Sequence, residues 1–110
     1  MDTRPQVDIL EKVQTKIKLD TEYHVILLDD DHHTYEYVIE MLGDVFGYGK
    51  ADAFELACEV DAAGWVVVFT SSYNKALVKR NAIHNYGADW RMKECKGSMS
   101  AIVERADKFD

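Results

Sequence analysis

The apolar positions of this chain change period several times, and each change marks an element. Tyr23-His24-Val25-Ile26-Leu27-Leu28 is a short apolar, β-branched run and predicts a strand. It stops at Asp29-Asp30-Asp31-His32-His33, a string that no sheet interior holds uncompensated. Tyr35, Val38, Ile39, Leu42, Val45 and Phe46 then recur at three- and four-residue steps, which predicts an amphipathic helix. Asp31 or Thr34 can cap its start, and Gly47 with Gly49 ends it. A second helix buries Ala53, Leu56, Ala57 and Val60 and stops at Gly64.

Trp65-Val66-Val67-Val68-Phe69 reads as a buried strand. Ser71 or Ser72 can cap a third helix through Tyr73, Ala76, Leu77 and Ile83, ending near Gly87. Arg80 interrupts its apolar stripe, so it is expected to be half exposed. Asp89 to Gly97 reads as a polar loop, and Ser98 to Val103 alternates as a one-face strand does. The order β-α-α-β-α-β predicts an α+β fold: a small, three-stranded, largely antiparallel sheet packed against three helices. Residues 1–21 show no sustained periodicity and read as a mobile extension, residues 22–106 as the ordered domain, and 107–110 as a tail. Val7, Leu10, Val13 and Ile17 sit at helical spacing, so a short amphipathic helix is the rival reading of the extension.

The 110 residues suffice for one domain with one core. A formal charge of −7 argues against nucleic acid or an anionic membrane as partner. No apolar run approaches the roughly 18–20 residues that span a bilayer, and the N-terminal residues lack a signal-peptide core, so a cytoplasmic protein is expected. Cys58 and Cys95 are too few for a disulfide scaffold and lack metal-ligand spacing. The charge is polarised. Residues 29–61 carry ten acids against Lys50 alone, a net of −9, whereas residues 62–98 carry a net of +4. Such a chain presents an acidic and a separate basic surface, each able to select a partner.

The string from Asp29 to His33 supports two readings. One is a solvated, acidic helix N-terminus, where each carboxylate gains about 0.3–1 kcal/mol from the macrodipole. The other is a site for a cation, because clustered carboxylates only accept hydrogen bonds and repel one another until something positive arrives. The string lacks the spacing of known calcium or zinc loops, and no metal or other cofactor is assigned. No phosphate loop, nucleophile elbow or paired Cys/His motif appears, so no enzyme chemistry is expected. Tyr35, on the apolar stripe, defaults to packing, and His24 and His84 default to the surface.

Taken together, Tyr23 to Asp31, then Glu36-Tyr37-Val38-Ile39, then Phe46 and Tyr48, resemble the ClpS adaptor family. That family is typified by a strand reading Y-x-V-I-L-x-N-D-D followed by x-T-P-M-E-F-V. The closing Lys96 to Glu104 resembles members with a longer connection after the third helix, so the resemblance runs from Tyr23 to Ala106. It implies an adaptor without catalysis, expected as a monomer. Such adaptors bind substrates through a free N-terminal bulky hydrophobic residue (an N-degron) and deliver them to a ClpA- or ClpC-type AAA+ unfoldase for degradation. The N-terminal extension serves delivery in that family.

Carried over residue by residue, the family's apical Asn falls on Asp29, the two Asp that follow on Asp30 and Asp31, and its amine-binding His on Asp61. The pocket Thr falls on His33 and the gate Met on Tyr35, with Leu28, Val38, Ala57, Val60 and Met99 at further pocket positions. Two neutral ligands have thus become carboxylates. The resemblance then implies a more electrostatic grip on an ammonium group, steeper salt dependence, and a raised pKa on at least one member of the empty cluster. A one-residue shift in the second helix would swing Asp61 by about 100° and dissolve the site. Ser72 and Leu77 stand where the family commonly has a charged pair facing the unfoldase. Two alternatives remain beside the adaptor reading. One is the same fold binding a divalent cation or cationic small molecule; the other is a plain interaction domain acting through Lys75, Lys79 and Arg80.

Overall fold

A computed structural model describes residues 21–109. The extension assigned to residues 1–21 lies outside the described residues except for Thr21, and so does Asp110. The elements run β1 (Tyr23–Leu28), α1 (Tyr35–Phe46), α2 (Lys50–Ala63), β2 (Trp65–Ser71), α3 (Tyr73–His84), β3 (Ser100–Arg105) and a single turn, α4 (Ala106–Phe109). The three strands form an antiparallel sheet in the order β2-β1-β3, so the most apolar strand is central and paired on both edges. This is the α+β architecture that the apolar pattern predicts, with the helices on one sheet face.

Side chains alternate along β1. Val25 and Leu27 face the helices and are fully buried, joined there by Val66 and Val68 from β2 and Ala101 from β3. Val25 pairs with Phe69 and Ile26 with Val67, so Val68 is the extra residue of a bulge. The bulge turns Phe69 to the same side as Val68, where its ring meets Phe46 at 5.4 Å. Tyr37, Val38, Met41 and Leu42 of α1 and Ala53, Ala57 and Val60 of α2 complete the core. Each fully buried large aliphatic side chain there contributes about 1.5–3 kcal/mol.

Local chemistry sets the helix ends. Thr34 caps α1 through the Tyr37 N–H at 3.1 Å, and Ser72 caps α3, which decides both capping alternatives. Gly47 and Gly64 close α1 and α2 at φ of 80° and 87°, a left-handed conformation that favours glycine. The differences from expectation concern the ends of elements. Trp65 is 44% exposed, because it shares the outer sheet face with its partner Leu28. β2 runs on to Ser71, α3 stops at His84, and β3 begins at Ser100 instead of Ser98. The Ser98 hydroxyl is taken by the Gly87 N–H at 2.6 Å, while Glu104 and Arg105 pair with His24 and Tyr23. None of the described helices is long and apolar enough to cross a membrane.

Candidate functional site

The C-terminal ends of β1 and α2 are brought together by their backbones. The Asp29 N–H donates to the Gly64 carbonyl at 3.0 Å, which sets the acidic string beside the last turn of α2 and hence beside Asp61. The Asp29 carboxyl is held above the usual carboxylate range, first by burial, then by the charges of Asp61, Asp30 and Asp31. The charges of Asp61, Asp30 and Asp31 thus all reach Asp29. Asp61, exposed in the last turn of α2, meets the first turn of α1.

Within the cluster each carboxylate has its own partners. Asp30 Oδ1 accepts from the His32 N–H at 2.9 Å and lies 2.7 Å from His33 Nδ1. Asp61 Oδ2 accepts the Tyr35 hydroxyl at 2.6 Å. Tyr35 is thus a rim residue, 38% exposed, and the packing expected from its place on the apolar stripe is limited to the Phe54 ring at 6.0 Å. Val38, Ala57, Val60 and Met99 are buried in one contiguous cluster with the Tyr37 ring. Leu28 is not brought to them: its register with Trp65 and Ser100 puts it on the outer sheet face. The His33 ring packs tilted against Tyr37, with centroids 4.5 Å apart, and reaches the loop before β3, with Nε2 at 2.8 Å from the Gly97 carbonyl.

Two residues that hold this site lie in the stretch read as a polar loop. Asp89 is the only buried charged side chain among the described residues, at 1% exposure. Its Oδ2 accepts both the Thr34 N–H at 2.7 Å and the Thr34 hydroxyl at 2.8 Å, and Arg91 bonds its Oδ1. Burial pushes the Asp89 carboxyl up, but those donors together outweigh it and hold it below the usual range. Cys95 is the second, with Sγ 3.3 Å from His33 Nε2. Both contacts join residues more than fifty positions apart, so no local pattern signals them. Phe54, half exposed beside Tyr35, is the third omission; an exposed aromatic at a helix position otherwise filled by polar residues was the available sign.

The arrangement can hold a cation by charge and hydrogen bonds, above a floor of packed apolar side chains. Among the described residues no trio of His, Cys, Asp and Glu is placed to hold a metal ion.

Comparison with known proteins adds independent findings. Residues 18–91 match the family model described as ATP-dependent Clp protease adaptor protein ClpS. The chain is 31% identical over 85 residues to the ATP-dependent Clp protease adapter protein ClpS of Ruegeria sp. (strain TM1040), covering 77% of this chain and 75% of that one. It is 32% identical over 85 residues to the protein of the same name from Vibrio atlanticus (strain LGP32), covering 77% and 80%. The fold is similar to that of Agrobacterium tumefaciens ClpS2 bound to L-phenylalaninamide, with a TM-score of 0.67 at 24% identity over 77% of this chain and 96% of that one.

Proposed function

The chain belongs to the ClpS family of ATP-dependent Clp protease adaptors, and on that premise we propose that it captures proteins by a free N-terminus carrying a bulky apolar residue. The observation that supports this most directly is that the charges of Asp30, Asp31 and Asp61 all reach Asp29, next to the packed apolar cluster. A free α-amine, with pKa near 7.7–8.0, is largely protonated at neutral pH and offers three N–H donors. Carboxylates acting together favour such a group over an internal peptide N–H, which carries no charge and one donor. Tyr35 and Phe54 stand at the mouth, and Val38, Ala57, Val60 and Met99 lie beneath as the wall against which a first side chain packs. Burying that side chain contributes about 1.5–3 kcal/mol. The ligand of the Agrobacterium protein, L-phenylalaninamide, combines the same two features, a free α-amine and an apolar side chain.

In this reading the chain is a binding module without catalysis. It acts in the cytoplasm as a monomer and presents its cargo to a ClpA- or ClpC-type unfoldase, with residues 1–21 serving delivery. Fluorescence anisotropy tests the binding step. Labelled peptides differing only in the first residue (Leu, Phe, Tyr, Trp, Ile, Val, Ala, Arg) are compared with an N-acetylated copy of the best binder. Binding to bulky apolar first residues, lost on acetylation, is the expected result. Flat curves across the set, with the protein folded, reject the proposal.

A further inference from the structure

The outer face of the sheet is apolar at its centre. Register places Ile26, Leu28, Trp65, Val67 and Ile102 together there, on the side away from the three long helices. Ile26 is 1% exposed although the helix-side core does not include it, while Ile102 and Trp65 at the flanks stay 39% and 44% exposed. Toward the start of β1 the same face turns polar, with Thr70, His24 and Glu104 in one row.

Residues 1–20, outside the described residues, join β1 through Thr21 and Glu22 alone. Their sequence carries helix signals over residues 5–19. Pro5 suits a first turn, while Asp8 early and Lys16 and Lys18 late complement the macrodipole. Asp8 also precedes Lys12 by four residues, the favourable order for an ion pair on a helix. Val7, Leu10, Val13 and Ile17 share one side of such a helix. A helix of that span is about 22 Å long, and six strand residues cover about 20 Å. A connection of about three residues folds a helix back over the sheet it feeds. The helix-side face is already filled by α1, α2 and α3, so the outer face is the one left.

We infer that this outer face is a docking surface for the chain's own residues 5–19, laid along it as an amphipathic helix antiparallel to β1. Ile17 then falls at the His24 end and Val7 at the Leu28 end, which brings Lys16 and Lys18 toward the exposed Glu104. A second copy of the chain fits worse. Three strands about 4.8 Å apart give a face of about 14 Å by 20 Å, far below the roughly 800 Å² that each partner of a stable dimer buries. A tethered segment needs less, because a short linker holds it at about millimolar effective concentration. None of the proposed amine ligands takes part.

Hydrogen exchange on the full chain tests this, since an isolated helix of about fifteen residues is marginal in water and protects its amides little. Amides of residues 9–18 are expected to exchange at least about ten-fold slower than in a free peptide of residues 1–20. Leu10→Glu and Ile102→Glu, one on each side of the contact, are each expected to remove that difference. Nuclear Overhauser contacts from the Leu10 or Val13 methyls to those of Ile102 or Val67 locate the helix in the unaltered chain, so the outcome stands even if Ile102→Glu does not fold. Exchange at the free-peptide rate overturns the proposal, and so do methyl contacts to any other surface. Protection that appears only as concentration rises, with a dimer in sedimentation, overturns it in favour of a second copy.

Discussion

The Tyr35 hydroxyl donates to Asp61 Oδ2 at 2.6 Å and thereby ties the first turn of α1 to the last turn of α2 across the mouth of the site. That bond favours the neutral phenol. The accepting carboxylate, then desolvation, then its negative charge push the Tyr35 pKa up to about 12. Burial also raises Tyr37, Tyr48 and Tyr86, so spectrophotometric titration is expected to show several tyrosines ionising late, and one fewer of them in Asp61→Asn, where Tyr35 moves back toward about 10. Tyr35→Phe leaves Asp61 free for an incoming ammonium. Peptide affinity, read by anisotropy, is expected to rise about two- to five-fold, a modest gain because the bond is exposed.

Asp29 carries a cost that an asparagine would remove. Its pKa in the fold lies above the unfolded value, chiefly through burial and then through the three neighbouring carboxylates. The sign follows from linkage: ionisation penalises the fold above that pKa, and the penalty vanishes once the group is protonated in both states. Asp29→Asn is therefore expected to stabilise the chain in urea at pH 7, with the gain disappearing below about pH 4. The same replacement weakens peptide binding, since it deletes a charge from the amine site.

Screening separates an ionic grip from an apolar one. Between about 0.1 M and 1 M salt the screening length shrinks from about 10 Å to 3 Å. Affinity for a free-amine peptide is expected to fall about five-fold or more over that range. A change under about two-fold would show that the carboxylates do not hold the amine.

Asp89 is expected to be the costliest single position. Asp89→Ala strands the Thr34 N–H and the Thr34 hydroxyl in a buried corner and leaves Arg91 with Glu40 alone as its carboxylate partner, a loss of about 2–4 kcal/mol in urea denaturation. The donors around it hold its pKa below the unfolded value. Its contribution is therefore complete above about pH 4 and is lost as pH falls through the folded pKa.

Most of the fold is legible in the sequence because the core is built from periodic runs. Val38, Leu42, Ala57 and Val60 declare their faces by spacing, and the glycines at 47 and 64 declare the helix ends. Element ends were less legible wherever polar residues take part in pairing, as Ser71 and Arg105 do. Asp29 to Asp31 stood out as a string, but its relation to Asp61 came from family resemblance, since thirty residues separate them. Leu28 shows the limit of carrying positions across: a strand's last residue can face either side, and pairing with Trp65 sends it outward. Asp89 and Cys95 were illegible for a physical reason. A buried polar residue in a loop obeys no period, and its partners are chosen by the assembled fold.

The bond between Thr34 and Asp89 also bears on the order of synthesis. Every proposed amine ligand has been made once Asp61 is added, yet the start of α1 stays unlatched until Asp89 follows. The central strand likewise lacks its β3 neighbour until Arg105. A released chain ending near Gly64 would carry four acidic side chains with no rigid seat for them. Competence to recognise cargo is thus a property of the finished polypeptide, and an unfinished adaptor does not compete with completed copies for cargo.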